Sequence, residues 1–538
     1  MSFKIQSTCF ALVMVLLLSG CESGDRGVIP LDSGPILRHP DGVYRGIPYA
    51  AAPTGPLRWR PPQPVTPWTA PRRCDTFGPV CLQPGYSGAM SEDCLFLNVW
   101  TPAKNVGERL PVMVWIHGGA FMYGSGSDEL YDGAALADKG VVVVTFNYRL
   151  GVLGFLAHPS LSAESPHQVS GNYGLLDQVA ALNWVQRNIA QFGGDPHRVT
   201  IFGQSAGAAS VSLLLVSPLA QGLFHAAIAE SPAVVGCLRP LRHEQVGVIP
   251  AETVGVRLAG ELGIAPAPDV APALRQVPWD RLAIAAATLE ESLGVEVLHL
   301  VCCPTVDGWL IPDHPVRLFG QGRRHPVPLL TGVTANESTI FLPWLMPQFS
   351  SPEAYRQHLD ATFGKNAARV LQLLPVTSPK DLWPCLDQLI SAKWFGAWAN
   401  YMAGTALNVQ QPAWFYRFTR RAPAWATEIL AEDSTKQRLS NDQLGVVHGA
   451  EIFSVFGFTK ILLGFGFDDW RFSDQIMIYW TNFAKTGQPE GAGVPPWPPY
   501  GTLTQRDYME FGREISAKSG LKVELYDLIA QTWLVSAY

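Results

Sequence analysis

The sequence has 538 residues, 47% of them hydrophobic and 16% charged, which is enough apolar material for a large buried core. Its formal net charge of −6 comes from interspersed acids and bases, with no run of lysine or arginine able to track a phosphate backbone, so nucleic acid is excluded as an expected partner. No low-complexity tract or internal repeat interrupts it, which excludes a disordered or solenoid architecture.

At the N-terminus, Lys4 and the apolar run Phe10 to Leu18 predict a secretion signal over residues 1–20, the run being too short to span a bilayer. Leu18-Ser19-Gly20-Cys21 resembles a bacterial lipoprotein box, in which cleavage precedes the cysteine and Cys21 is acylated. Acyl chains contribute about 0.8 kcal/mol per buried methylene, so several would hold the mature protein on a membrane, on the periplasmic or cell-surface side. The alternative is a plain cleaved signal with Cys21 a bystander. Export places the cysteines in an oxidising compartment. Cys81 and Cys94 enclose a short loop whose closure would be worth about 3 kcal/mol. Cys74, Cys237, Cys302, Cys303 and Cys385 have no metal-like spacing, and no metal site is expected.

Residues 22–110, rich in proline, glycine and arginine, predict loops with short antiparallel strands such as "CLFLNVWTP". Beyond them "LPVMVWIHGG", "VVVVTFNYRLG" and "VTIFG" read as buried strands, and "NYGLLDQVAALNWVQRNIAQFGGDP" as a helix ended by glycines and a proline. "FHAAIAES", "PVPLLTGV" and "PAWFYRF" extend the series. Strands alternating with helices predict a mostly parallel sheet covered on both faces. Helical segments 251–293, 352–374 and 384–408 are surplus to such a sheet and are expected to build a cap over its C-terminal edge. No linker divides them from the rest, so residues 21–538 are expected to form one domain with insertions.

Within "VTIFGQSAGAAS", Gly203-Gln204-Ser205-Ala206-Gly207 fits G-x-S-x-G between a strand and a helix, the context in which a sharp turn exposes a nucleophilic serine. A Gly-Ser-Gly turn that merely packs a helix on a sheet is the plainer alternative. A serine needs a base, which in this arrangement follows an acid in chain order. Histidines before Ser205 fail on order; His225 lies in a core strand, His243, His299, His314 and His325 precede "PLLTGV", and His358 lies in a helical run. His448, on a glycine-bearing loop after "PAWFYRF", is the expected base. For the acid, Glu337 stands four residues beyond "PLLTGV"; Asp307 is the rival, although its Asp-Gly pair suggests a turn. "IHGGAFMYGSGS" resembles the glycine-rich oxyanion loop of lipases and esterases, and Gly119, Ala120 and Ala206 are the expected N–H donors.

Taken together, "YRGIPYAAAPTGPLRWRPP", "EDCLFLNVW", "VMVWIHGGAF", "NYRLGVLGFL", "GNYGLLDQVAALNWVQRNIAQFGGDPHRVTIFGQSAG", "HGAEIFSVFG" and "YWTNFAKTGQPEG" resemble the type B carboxylesterase and cholinesterase family of the α/β-hydrolase fold. The resemblance implies a mixed, mostly parallel sheet with helices on both faces. It also implies Ser205 as nucleophile, Glu337 as acid, His448 as base, Gly119, Ala120 and Ala206 as oxyanion donors, and a Cys81–Cys94 disulfide. The substrate it implies is a small-molecule ester, hydrolysed through an acyl-enzyme without metal or organic cofactor. The chain departs from the family at Gln204, where glutamate is frequent, and at Asn336-Glu337-Ser338, where Asp-Glu-Gly is usual. The absence of tryptophan from "GYSGAMSEDC", with Ile340 following the acid, argues against choline esters. A catalytically silent binding protein, a lipase and a carbamate hydrolase are the competing expectations. Phe121, Met122, Tyr123, Trp184 and Trp394 to Trp398 are candidates to line an apolar gorge.

Overall fold

The computed structural model describes residues 27–235, 237–244, 248–293, 301–423, 439–458, 465–501 and 506–536. The expected signal segment 1–20, Cys21 and His299 lie outside them. The central sheet has ten strands: β1 (Val43–Pro48), β2 (Phe96–Trp100), β3 (Leu110–Ile116), β4 (Val142–Phe146), β5 (Gly194–Gln204), β6 (Ala226–Glu230), β7 (Leu329–Thr334), β8 (Ala413–Phe418), β9 (Asp507–Phe511) and β10 (Ile515–Ser519). Their order is β10-β9-β8-β7-β6-β5-β3-β4-β2-β1. From β9 to β4 every neighbour is parallel, while β10 at one edge and β2 and β1 at the other pair antiparallel.

The central strands are apolar throughout because both sheet faces are covered. In β3, Val112, Val114 and Ile116 join one core while Met113 and Trp115 join the other. Helices α1 (Tyr173–Asn188) and α2 (Ala206–Val216) pack against β5 on the first side, and α3 (Phe467–Thr486) lies across β3 and β5 on the second. The loop after β4 is fixed to α1 by a buried ion pair: Arg149 Nε and Nη2 donate to the two Asp177 oxygens at 2.8 and 2.7 Å, and the Arg149 backbone N–H donates to the same carboxylate at 3.0 Å.

Two expectations need correction. Helices Ala251–Glu261, Trp279–Ser292, Pro352–Phe363 and Leu382–Ser391 occupy the predicted insertions, but Ala397–Gly404, within the third, packs against β7 and β8 as part of the sheet covering. Its Ala397, Trp398, Ala399, Met402 and Ala403 leave little polar surface to turn outward, so it belongs in the core. The strand "PAWFYRF" is also not the last of the sheet. β9 and β10 follow His448 in the chain; "DYMEF" places acids among its apolar residues near the sheet edge and lacks the unbroken apolar run of a central strand.

Candidate active site

Ser205 stands between the end of β5 and the start of α2 with φ 57° and ψ −122°, a region that side-chain-bearing residues rarely occupy. Its N–H donates to the Glu230 carbonyl at 2.9 Å and its carbonyl accepts from Ala209 N–H at 2.8 Å, so sheet and helix both hold the turn. The flanking glycines are required by close approach. A Cβ at Gly203 would stand 2.6 Å from the Ile116 carbonyl oxygen, and one at Gly207 only 1.9 Å from it.

His448 and Glu337 meet on adjoining loops, with His448 Nδ1 at 2.5 Å from Glu337 Oε2. Glu337 is 1% exposed, and its Oε1 accepts from the Thr334 N–H and the Ser231 hydroxyl, each at 2.6 Å. With both oxygens occupied by donors, the carboxylate has one orientation available, and the Nδ1 proton is fixed on the side facing it. The rings of Phe395 and Phe341 lie 4.5 and 5.8 Å from the imidazole, and Gln204 Nε2 is 3.1 Å from His448 Nε2.

The two loops are tied together by Asn336. Its N–H donates to the Val446 carbonyl and its Oδ1 accepts from Val446 N–H, both at 3.0 Å. The departures at 336 and 338 have a common partner, Asp387 of helix Leu382–Ser391: Asn336 Nδ2 donates to Oδ2 at 2.8 Å and the Ser338 hydroxyl to Oδ1 at 3.0 Å. An aspartate at 336 would set two carboxylates against each other; asparagine supplies a donor instead. The rival acid, Asp307, is engaged elsewhere, its Oδ1 accepting from Trp309 and Ile311 N–H at 2.9 Å in an Asp-Gly turn.

Behind Glu337 lie groups that sequence reasoning missed. Ser231 links Glu337 to Glu451, whose Oε1 also accepts from the Tyr416 hydroxyl at 3.2 Å; Glu230 accepts from Trp480 Nε1 at 2.7 Å. Burial pushes the Glu230 carboxyl up to about 8 and raises Glu451 well above the usual carboxylate range, so burial favours the protonated form of both. The available signal was position: Glu230 and Ser231 sit at the C-terminal end of a parallel strand beside β5, where open α/β sheets bind their ligands.

The loop after β3 turns through three positive φ angles in succession, Gly119 (100°), Ala120 (53°) and Phe121 (60°). A Cβ at Gly118 would come within 3.2 Å of the Ser205 Cβ, so this loop lies directly against the serine. The N–H groups of Gly119, Ala120 and Ala206 find no backbone acceptor among the described residues. Gln83 clamps the loop's far end, donating to the Gly124 carbonyl and accepting from Gly124 N–H at 2.9 Å, two residues beyond the Cys81–Cys94 disulfide. His117 stacks on Tyr148 with ring centroids 4.3 Å apart, and burial lowers it to about 4, so it is neutral.

The sequence profile of the Carboxylesterase family matches residues 37–529. The chain belongs to the carboxylesterase family. It is 37% identical to the fumonisin B1 esterase of Sphingopyxis macrogoltabida over 489 residues, covering 89% of this chain and 85% of that one. It is 36% identical to the human cocaine esterase, covering 85% and 81%. Among solved structures it superposes on a Geobacillus stearothermophilus carboxylesterase with a TM-score of 0.78 at 32% identity, over 94% of this chain and all of that one. This carboxylesterase therefore has the α/β-hydrolase fold and hydrolyses esters. Of the expected gorge lining, Trp184 and Trp398 are at most 1% exposed and pack within the core, Phe121 packs edge-on against Phe155, and Tyr123 is 46% exposed. Phe341, Trp394 and Phe395 form the apolar wall beside His448.

Proposed function

We propose that this carboxylesterase works through an acyl-enzyme on uncharged esters of small to medium size. Ser205 Oγ attacks the ester carbonyl, His448 takes the hydroxyl proton and returns it to the leaving alcohol, and water then releases the acid by the same path. Glu337 orients the imidazole and stabilises its protonated form. The N–H groups of Gly119, Ala120 and Ala206 receive the oxyanion, each worth roughly 10²–10³-fold in rate. The observation that carries these roles is the Glu337–His448 contact against Gln204, the residue that directly precedes a serine of positive φ at a helix N-terminus. Relatives named for hydrolysing fumonisin B1 and cocaine support ester over carbamate as the substrate bond.

A fluorophosphonate is expected to label Ser205 stoichiometrically, and a panel of p-nitrophenyl esters of graded acyl length to give measurable turnover that falls off for the longest chains. Absence of labelling on Ser205 would refute the mechanism, and turnover confined to long-chain emulsified esters would make the protein a lipase.

We also propose that residues 1–20 direct export and that Cys21 carries a lipid anchor holding the mature enzyme on the periplasmic or cell-surface side of a bacterial membrane. The Cys81–Cys94 bridge supports an oxidising location. Full-length protein expressed in a bacterium is expected to partition into detergent, and Cys21→Ala to remove that partition; retention by the variant would rule the anchor out.

A further inference from the structure

Ester hydrolysis through Ser205, Glu337 and His448 has no need of the side chain that precedes the serine, yet that side chain touches the base. We propose that Gln204 is a positioning residue: its amide, laid against the imidazole of His448, favours the neutral base and thereby sets the lower pH limit at which the enzyme works. The inference depends on the catalytic roles proposed above for Ser205, Glu337 and His448.

Gln204 ends β5 and is 5% exposed. Its Nε2 stands 3.1 Å from His448 Nε2 and 3.5 Å from Nδ1. A donor in line with the Nε2 lone pair would be much farther from Nδ1, which lies across the ring. The near-equality of the two distances therefore places the amide against the flank of the imidazole, out of line with the Nε2 lone pair. The Phe395 ring, 4.5 Å away and tilted by 35°, packs against the imidazole as well.

An amide N–H carries partial positive charge, so laid against a ring it attracts the electron-rich face of neutral imidazole and opposes imidazolium. A Cβ at Gly118 would stand 3.3 Å from Gln204 Oε1 and one at Gly449 3.6 Å from its Nε2, so the loop of the oxyanion donors and the loop of the base both border this amide. The other ionisable groups around the base are Glu337 on Nδ1, then Glu451 and Glu230 behind it, with the hydroxyls of Tyr416 and Tyr526 and the Arg417 guanidinium beyond. Phe341 and Phe395 contribute no charge. Glu337 is the one group in this set that favours imidazolium by direct contact, and Gln204 opposes it from the ring flank.

The test is the pH dependence of kcat/KM for a neutral aryl ester in the wild type, Gln204→Glu and Gln204→Ala. An added carboxylate within about 4–6 Å raises the proton affinity of an imidazole. The acidic limb of the profile is therefore expected to move up by at least about one pH unit in Gln204→Glu, so that below both midpoints the variant is about tenfold less active relative to its own plateau. In Gln204→Ala the limb is expected to move the same way by less, because only the opposing dipole is lost. Superimposable acidic limbs in all three proteins, with fluorophosphonate labelling of Ser205 intact, would overturn the role of Gln204 alone. Failure of the wild type to be labelled at Ser205 would instead overturn the catalytic roles.

Discussion

Replacing Ser205 by alanine is expected to lower kcat for a short-chain aryl ester by about 10⁶-fold while leaving the melting transition in place, since loss of a triad serine has an effect of that order in another serine hydrolase. The oxygen removed is the only atom proposed to bond covalently to the acyl group. Backbone bonds from Ser205 to Glu230 and Ala209 do not involve the hydroxyl, and alanine has the same Cβ, so the turn survives. Residual catalysis of about 10³–10⁴-fold over water should remain from the oxyanion donors and from binding. Steady-state kinetics on protein free of wild-type contamination, with circular dichroism melting, checks both halves. Wild-type turnover in the variant would end the mechanism.

The second large effect is expected at Glu337→Gln, a fall in kcat of about 10⁴-fold with KM little changed. Glu337 accepts three donors: His448 Nδ1–H on Oε2, and Thr334 N–H and the Ser231 hydroxyl on Oε1. A glutamine has one oxygen. If that oxygen keeps Thr334 and Ser231, the amide NH₂ faces His448 and selects the tautomer protonated on Nε2, which cannot accept the Ser205 proton. If it turns toward His448, Thr334 is left facing a donor inside the protein, and the loop loosens. Either way the proton path is broken while the substrate site stays intact. A kcat within tenfold of wild type would show that another group orients the base.

The nucleophile turn, the central strands and the first covering helix were legible because their signals are local: an apolar run, a period of 3.6, a serine between two glycines. Ser205, Glu337 and His448 were separable from competitors by chain order and loop position, although that order was inferred without β9 and β10. What could not be read is what folding alone assembles. The meaning of Asn336 and Ser338 depends on Asp387, about fifty residues away on a helix whose sequence, "LWPCLDQLIS", carries no catalytic signal. Ser231 and Glu451 are separated by 220 positions and reach Glu337 from different elements. Trp398 belongs to a stretch that looks like surplus helix until β7 and β8 are seen beneath it.

The clasp formed by Asn336, Ser338 and Asp387 has a mechanical consequence. It joins the helix that leads to Trp394 and Phe395 to the loops that carry the acid and the base, so remodelling the aromatic wall beside His448 would drag the proton acceptor with it.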